Sequence, residues 1–317
     1  MKHNTIPSFT DILVAYEKIR KLIHRTPVFT SAGINKLCKA ELYFKCENFQ
    51  KVGAFKFRGA TNAIANLSML EMKQGVATHS SGNHAAALSL AAKLKGISAH
   101  IVMPENSKEI KKIAVQEYGG KITFCKPTLQ ARIETLQEIV KQTGAVEIHP
   151  FDNFYVIAGQ GTAALELMRE KEDLDIVITP VGGGGLLSGT ALAVNGMCNT
   201  TKVYGAEPLG ADDAFKSFYS GNLIPQTDPK TMADGLLTSL SERTFHIISS
   251  LVDNIFTATE TSIAEAMKII WQRMKIIVEP SSAVPLATIL ENKNEFEGKR
   301  IGIILSGGNV DLQKLPF

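Results

Sequence analysis

Cysteine is scarce in this chain, and so are long apolar runs and blocks of one charge. Cys38, Cys46, Cys125 and Cys198 are the only four cysteines, far apart and without CxxC spacing. That excludes a disulfide-stapled secreted scaffold and a cysteine zinc site. It leaves reduced thiols in a cytosolic protein, each packing as a small hydrophobe. No uncharged apolar stretch approaches the roughly 18 residues of a membrane span. The N-terminal run MKHNTIPSFTDILVAYEKIRK lacks a continuous apolar segment and carries acids early, unlike a signal peptide. Lys and Arg number 34 against 31 Asp and Glu, with both signs scattered, so nothing points to nucleic acid or a membrane surface as a partner. There is no internal repeat and no low-complexity linker.

What is present describes an ordinary globular enzyme. The 317 residues are 44% hydrophobic and 21% charged, enough for two domains or one large one. Strand-like and helix-like segments alternate. Strands are expected at 41–47, 75–79, 99–103, 121–125, 146–149, 176–180, 202–206 and 300–305. Helices are expected after Lys56 and at 83–95, 107–118, 129–143, 161–171, 187–194, 262–275 and 282–292. Such alternation predicts an α/β fold with parallel sheet covered by helices on both faces. The four strands between about residues 75 and 149 can form one compact sheet, and the later strands plus the N-terminal one a second.

Four segments carry chemistry. Gly182, Gly183, Gly184 and Gly185, followed by Leu186, lie between the buried strand IVITP and a helix. Glycines let loop amides converge on one anion, with the helix N-terminus adding positive charge, so a phosphate site is favoured over a tight turn. The run matches neither GxGxxG nor a P-loop. Glu207, about twenty residues on, stands where a dinucleotide fold places its ribose-binding acid, which keeps a nicotinamide oxidoreductase as a runner-up. In the second segment, GAFKFRGA, Lys56 sits between Phe55 and Phe57. An amine desolvated there becomes a better nucleophile, although a surface lysine at a helix start reads equally naturally. The third, HSSGNH, places Ser80, Ser81, Gly82, Asn83 and His84 at a strand end, as a ligand site or with Ser81 as a helix cap. The fourth, SGGN from Ser306, follows strand IGIIL and can offer a hydroxyl to a ring nitrogen or simply form a turn.

In that order along the chain, these segments resemble the serine/threonine dehydratase and serine racemase family of pyridoxal-phosphate enzymes (fold type II, tryptophan synthase β-like). The resemblance runs from Thr26-Pro27 to Asp311 and includes IAGQGT from Ile157, ADG from Ala233 and Glu279-Pro280. It implies two domains, each an open, mostly parallel sheet flanked by helices. Residues 1–70 with 153–317 would form the large cofactor domain, and 71–152 a small mobile domain closing on substrate. It implies that Lys56 forms the Schiff base with the cofactor and that Phe55 stacks on its ring. Asn83 would bind the phenolic oxygen, the glycines and Leu186 the phosphate, and Ser306 the pyridine nitrogen, with Gly235 passing close by.

The implied reaction is β-elimination of serine- or threonine-type hydroxy-amino acids to keto acid and ammonia. Lys56 would remove the α-proton, and the substrate carboxylate would lie on the amides of residues 80–84. Arg132 takes the place of an arginine that closes over substrate in racemase relatives. Ser81 stands where many plain dehydratases carry alanine. In serine racemases and hydroxyaspartate dehydratases its hydroxyl is the acid/base opposite the lysine, so racemisation is chemically open. Glu207, Ala211 and Asp213 match a divalent-cation site for Mg²⁺, Ca²⁺ or Mn²⁺, which also explains Glu207 without a ribose. Arg273 and Lys275 fit the site at which animal serine racemases hold ATP between subunits, while Ala86 replaces a nearby glutamine. A cytoplasmic homodimer is implied. With no C-terminal extension, feedback control of the biosynthetic threonine-dehydratase kind is not expected.

Overall fold

The computed structural model describes residues 5–317. The first four residues, part of the larger expected domain and of the stretch read against a signal peptide, lie outside the described residues. Ten strands occur: β1 (Val28–Phe29), β2 (Glu41–Cys46), β3 (Val76–His79), β4 (Ala99–Pro104), β5 (Lys121–Cys125), β6 (Val146–Glu147), β7 (Ile176–Pro180), β8 (Lys202–Pro208), β9 (Asn254–Ala258) and β10 (Arg300–Leu305). They make a six-stranded sheet in the order β1-β2-β10-β7-β8-β9 and a four-stranded sheet in the order β5-β4-β3-β6. All neighbours are parallel except the β1–β2 pair.

Both faces of each sheet are buried, which is why the strands read as continuous apolar runs. Ile301, Ile303 and Leu305 of β10 join Ile176 and Ile178 of β7 in one core, against the helices Glu260–Met274 and Pro280–Glu291. Their alternates Ile304 and Val177 face a second core. The smaller sheet divides likewise, with Val76, Ile101 and Met103 on one side and Ala77 and Val102 on the other.

The expected helices at 83–95 and 129–143 and the strands at 121–125, 176–180 and 300–305 form with the expected bounds. The helix expected from residue 161 instead starts at Phe154, because the Asn153 side chain accepts from the Tyr155 and Val156 amides. Its glycines, which look like helix breakers, are packing contacts. A Cβ on Gly159 would lie 2.6 Å from Gly59 Cα, and one on Gly161 would lie 2.6 Å from the Gly189 carbonyl oxygen. Helices Lys56–Ala65, Phe154–Glu170 and Gly185–Met197 therefore touch backbone to backbone, which holds the head of the first in register with the glycine run that opens the third.

Beneath that contact lies a buried ionic cluster. The Arg58 guanidinium donates to both oxygens of Glu47 at 2.7 and 2.8 Å and to both oxygens of Glu166 at 3.0 and 2.8 Å. Lys45 adds a bond of 2.6 Å to Glu166. Two cations meet two anions, so the cluster is neutral, and it rivets the helix carrying Lys56 to β2 and to helix Phe154–Glu170.

Candidate active site

The motifs gather where strands end. Lys56 is the first residue of its helix. Its Nζ donates to the Pro150 carbonyl at 2.9 Å and stands 5.1 Å from the centre of the Phe55 ring. Burial lowers its pKa to about 8, against a smaller upward pull from Glu279. The imidazoles of His84 and His149 are both pushed down to about 3, by burial first and in part by the Lys56 charge. A lysine among neutral imidazoles is a nucleophile and base near neutral pH, which settles the choice between a surface and a pocket lysine.

Ser306 ends β10 beside it: its carbonyl accepts from the Phe55 amide at 3.0 Å, and its hydroxyl lies 3.3 Å from that of Ser282. The Ser282 hydroxyl is pinned by the amide and carbonyl of Gly307, both at 2.8 Å.

The glycine run follows β7, and none of its four positions can take a side chain freely. A Cβ on Gly182 would lie 2.9 Å from Leu236 Cα, one on Gly183 would enter the Phe151 ring, and one on Gly185 would lie 2.9 Å from Phe151 Cβ. Gly184 caps the following helix in the left-handed region, at φ +83°. The first amides of that 13-residue helix have no intrahelical partner, and they open toward this loop. Gly235 lies alongside, its amide donating to Ser281 Oγ at 3.1 Å.

Across from these, helix Asn83–Lys95 begins without any side-chain cap: its N-cap is Gly82, so Ser81 is not a helix cap. Ser81 is partly buried in the preceding loop. The Asn83 side chain donates to Glu279 at 2.8 and 3.2 Å and accepts from Asn309 at 2.9 Å. The amide matched to the cofactor's phenolic oxygen is thus also held by the larger sheet's residues. A cavity of about 370 Å³ opens at this seam, lined among others by Gly82, Asn83, Asp234, Pro280 and Asn309.

The family model described as pyridoxal-phosphate dependent enzyme matches residues 19–307. The chain belongs to that family. It is 51% identical over 312 residues to the beta-hydroxyaspartate dehydratase of Paracoccus denitrificans (strain Pd 1222), covering 98% of this chain and 99% of that one. It is 52% identical over 309 residues to a serine racemase of Dictyostelium discoideum, covering 96% and 95%. The solved Dictyostelium discoideum serine racemase superposes with a TM-score of 0.93 at 51% identity over 96% of this chain and 99% of that one. A solved threonine deaminase, its source abbreviated T.th., gives 0.92 at 41% identity, with the same coverages. The fold is that of a fold type II pyridoxal-phosphate enzyme.

The residues present fit the cofactor. A neutral-leaning buried amine suits its aldehyde, a glycine loop at a helix N-terminus suits its phosphate, and a buried hydroxyl at the end of β10 suits its ring nitrogen. Pro150, Phe151 and His149 escaped the sequence reading although they follow β6. Strand pairing of β6 with β3 puts the HPFDN segment beside HSSGNH, so the strand-end rule applied to residues 146–149 would have found them.

Other expected residues fall elsewhere. Arg132 belongs to the smaller sheet's helix Leu129–Thr143, where its charge helps burial lower the His79 pKa, and its Nε is buried without a hydrogen-bond partner. Glu207 does not face a ribose: its carboxylate accepts from the Ala214 and Phe215 amides at 3.0 and 2.8 Å. Burial and the neighbouring Asp213 raise its pKa well above the ordinary value, and burial raises Asp213 to about 6. Asp213 Oδ2 is buried without a partner. Two strained carboxylates with an unused oxygen fit a hard cation, although among the described residues no group of three or more His, Cys, Asp or Glu gathers for a metal. Ala86 lines the seam cavity, whereas Arg273 lines a separate surface pocket with Lys171 and Met274, so the residues matched to a nucleotide site do not meet within one chain. No helix of the described residues is long and apolar enough to cross a membrane.

Proposed function

We propose that this enzyme eliminates the β-hydroxyl of small hydroxy-amino acids of the L-serine and L-threonine type, giving keto acid and ammonia, and that it also racemises serine. The observation that carries the reading is Lys56, a buried amine brought to about 8 and fixed on the Pro150 carbonyl beside Ser306. Bound pyridoxal phosphate supplies the electron sink that makes the α-proton removable. Lys56 takes that proton on one face. Ser81, in a loop with no capping duty, delivers or removes a proton on the other. The uncapped amides at the start of helix Asn83–Lys95 hold the substrate carboxylate. A hydroxyl at Ser306, unlike a carboxylate, leaves the ring nitrogen unprotonated, which favours loss of hydroxide over reprotonation at the wrong carbon.

A second reading, 3-hydroxyaspartate as the preferred substrate, is supported by Arg132, whose buried Nε lacks a partner beside His79 and can take a second carboxylate. The full-length similarity to the Paracoccus denitrificans dehydratase points the same way. We read Glu207, the Ala211 carbonyl and Asp213 as a Mg²⁺, Ca²⁺ or Mn²⁺ site. We assign no nucleotide, because Ala86 stands in place of the glutamine. Residues 1–70 with 153–317 are read as the cofactor domain and 71–152 as the closing one. A cytoplasmic homodimer is the assembly proposed, and the free state of all four cysteines suits a reducing compartment.

The test is incubation with L-serine, D-serine, L-threonine and 3-hydroxyaspartate, measuring keto acid and chirality together. Ser81→Ala should suppress racemisation and D-serine elimination while L-serine elimination survives. Racemisation at the parental rate in that variant would place the second acid/base elsewhere.

A further inference from the structure

Glu279 lies in one of the segments that carry the family resemblance, yet neither cofactor, cation nor substrate needs it in the mechanism proposed. It is the N-cap of helix Pro280–Glu291 but makes no capping bond with its side chain. The carboxylate turns away from its own helix and accepts the Asn83 amide through both oxygens, at 2.8 and 3.2 Å. Asn83 follows directly on the loop that carries Ser81 and belongs to the smaller sheet's first helix. Glu279 belongs to the larger sheet's layer, its own amide donating to the Gly307 carbonyl at 3.0 Å. From the same side Asn309 donates to Asn83 Oδ1 at 2.9 Å and to the Val52 carbonyl at 2.7 Å. The carboxylate also packs on the strand end that touches the Lys56 segment: a Cβ on Gly307 would lie 2.7 Å from Glu279 Oε1 and 3.2 Å from Ala54 Cβ.

We propose that Glu279 is a positioning residue: by gripping Asn83 across the seam it fixes the Ser81 loop against Lys56, and so sets the balance between racemisation and elimination. This rests on the two-face reading of Lys56 and Ser81. Hydrogen bonding alone does not explain why a carboxylate is kept, since an amide of the same shape can accept from Asn83. Burying a carboxylate is costly, and here burial and the Asp234 charge raise Glu279 to about 7, with Lys111 pulling the other way. The negative charge is of use to Lys56, whose neighbouring imidazoles, His84 and His149, are both neutral. It supports the ammonium that forms when Lys56 holds the α-proton.

Two variants of the full chain test this, Glu279→Gln and Glu279→Ala, each checked for folding by its melting temperature. Amide exchange is followed by mass spectrometry over residues 80–86, with and without pyridoxal phosphate. Without cofactor, the pH midpoint of amine labelling at Lys56 is read as well. Glu279→Ala should speed exchange in 80–86 by about tenfold, as a contact worth roughly 1.4 kcal/mol would. Racemisation should fall severalfold relative to elimination. Glu279→Gln, which keeps one acceptor and loses the charge, should lower the Lys56 midpoint by about half a pH unit, roughly a threefold gain in neutral amine at pH 7. It should lower the racemisation ratio less than alanine does. Parental exchange and parental partition in Glu279→Ala overturn the proposal. Should that variant not fold, an unshifted Lys56 midpoint together with an unchanged partition in Glu279→Gln overturns it instead. If the parent turns over none of the four substrates, the functional reading fails, and the exchange and labelling results still decide whether Glu279 holds the loop.

Discussion

Arg58 lies two residues beyond Lys56, and replacing it with methionine tests whether the buried ionic cluster is the footing of the active site. The substitution removes four bonds to carboxylate oxygens, at 2.7, 2.8, 3.0 and 2.8 Å. Glu47 and Glu166 are left facing Lys45 alone, an uncompensated buried charge. Breaking such a network costs about 3–5 kcal/mol, a large part of the roughly 5–15 kcal/mol that keeps a domain folded. Protonation limits the loss, and that gives the prediction a sign. Burial alone would raise Glu166, but the Arg58 and Lys45 charges outweigh it and hold the carboxyl below its ordinary value. In the parent, that stability is full above the unfolded pKa and fades as pH falls through the folded one. In the variant the orphaned carboxylate has a raised folded pKa, so acid relieves it. The gap between the two proteins should therefore be widest near pH 7 and narrow toward pH 5. Urea unfolding at both pH values, with m unchanged, measures it. A cost below about 1 kcal/mol at pH 7, as for a surface pair, or a cost independent of pH, refutes the argument.

Lys56→Ala should bring turnover below detection and remove the borohydride-reducible link to the cofactor; a reducible adduct in that variant would move the nucleophile to another lysine. Gly183→Ala drives a methyl group into the Phe151 ring and displaces the loop. Losing one hydrogen bond to a charged phosphate, worth about 1.5–3 kcal/mol, weakens cofactor binding roughly ten- to a hundredfold. Dialysis against graded pyridoxal phosphate checks this, and parental affinity would show that the loop does not hold the phosphate. Mg²⁺ or Ca²⁺ should raise the melting temperature of the parent by binding the native state only, and Asp213→Ala should abolish the response. If EDTA and added cation leave the parent's melting unchanged, Glu207 and Asp213 do not form a cation site.

The division into two sheets and most of their elements were legible because the signals are local. Apolar runs marked β7 and β10, which are buried on both faces, and glycine marked the ends of helices Asn83–Lys95 and Leu129–Thr143. The helix Phe9–Ile19 was passed over although Ser8 and Asp11 form a capping box that a sequence displays openly. β9 was missed for a different reason: NIFTA is short and only two of its residues are buried, so its alternation is faint.

The site divides along the same line. Lys56, the glycine run, Ser81 and Ser306 each sit in a motif a few residues long at the end of a strand, where geometry and composition coincide. What joins them does not. The Lys56 amine meets a carbonyl 94 residues away, Asn83 meets Glu279 across 196, and Asn309 reaches Asn83 across 226. Each of these bonds exists only because two separately wound sheets bring their strand ends to one seam. No local pattern of residue types encodes it. The motifs hold the chemistry, while the long-range bonds decide how the Ser81 face meets the Lys56 face. The choice between inverting a substrate and eliminating from it therefore depends on the part of the site that the sequence displays least.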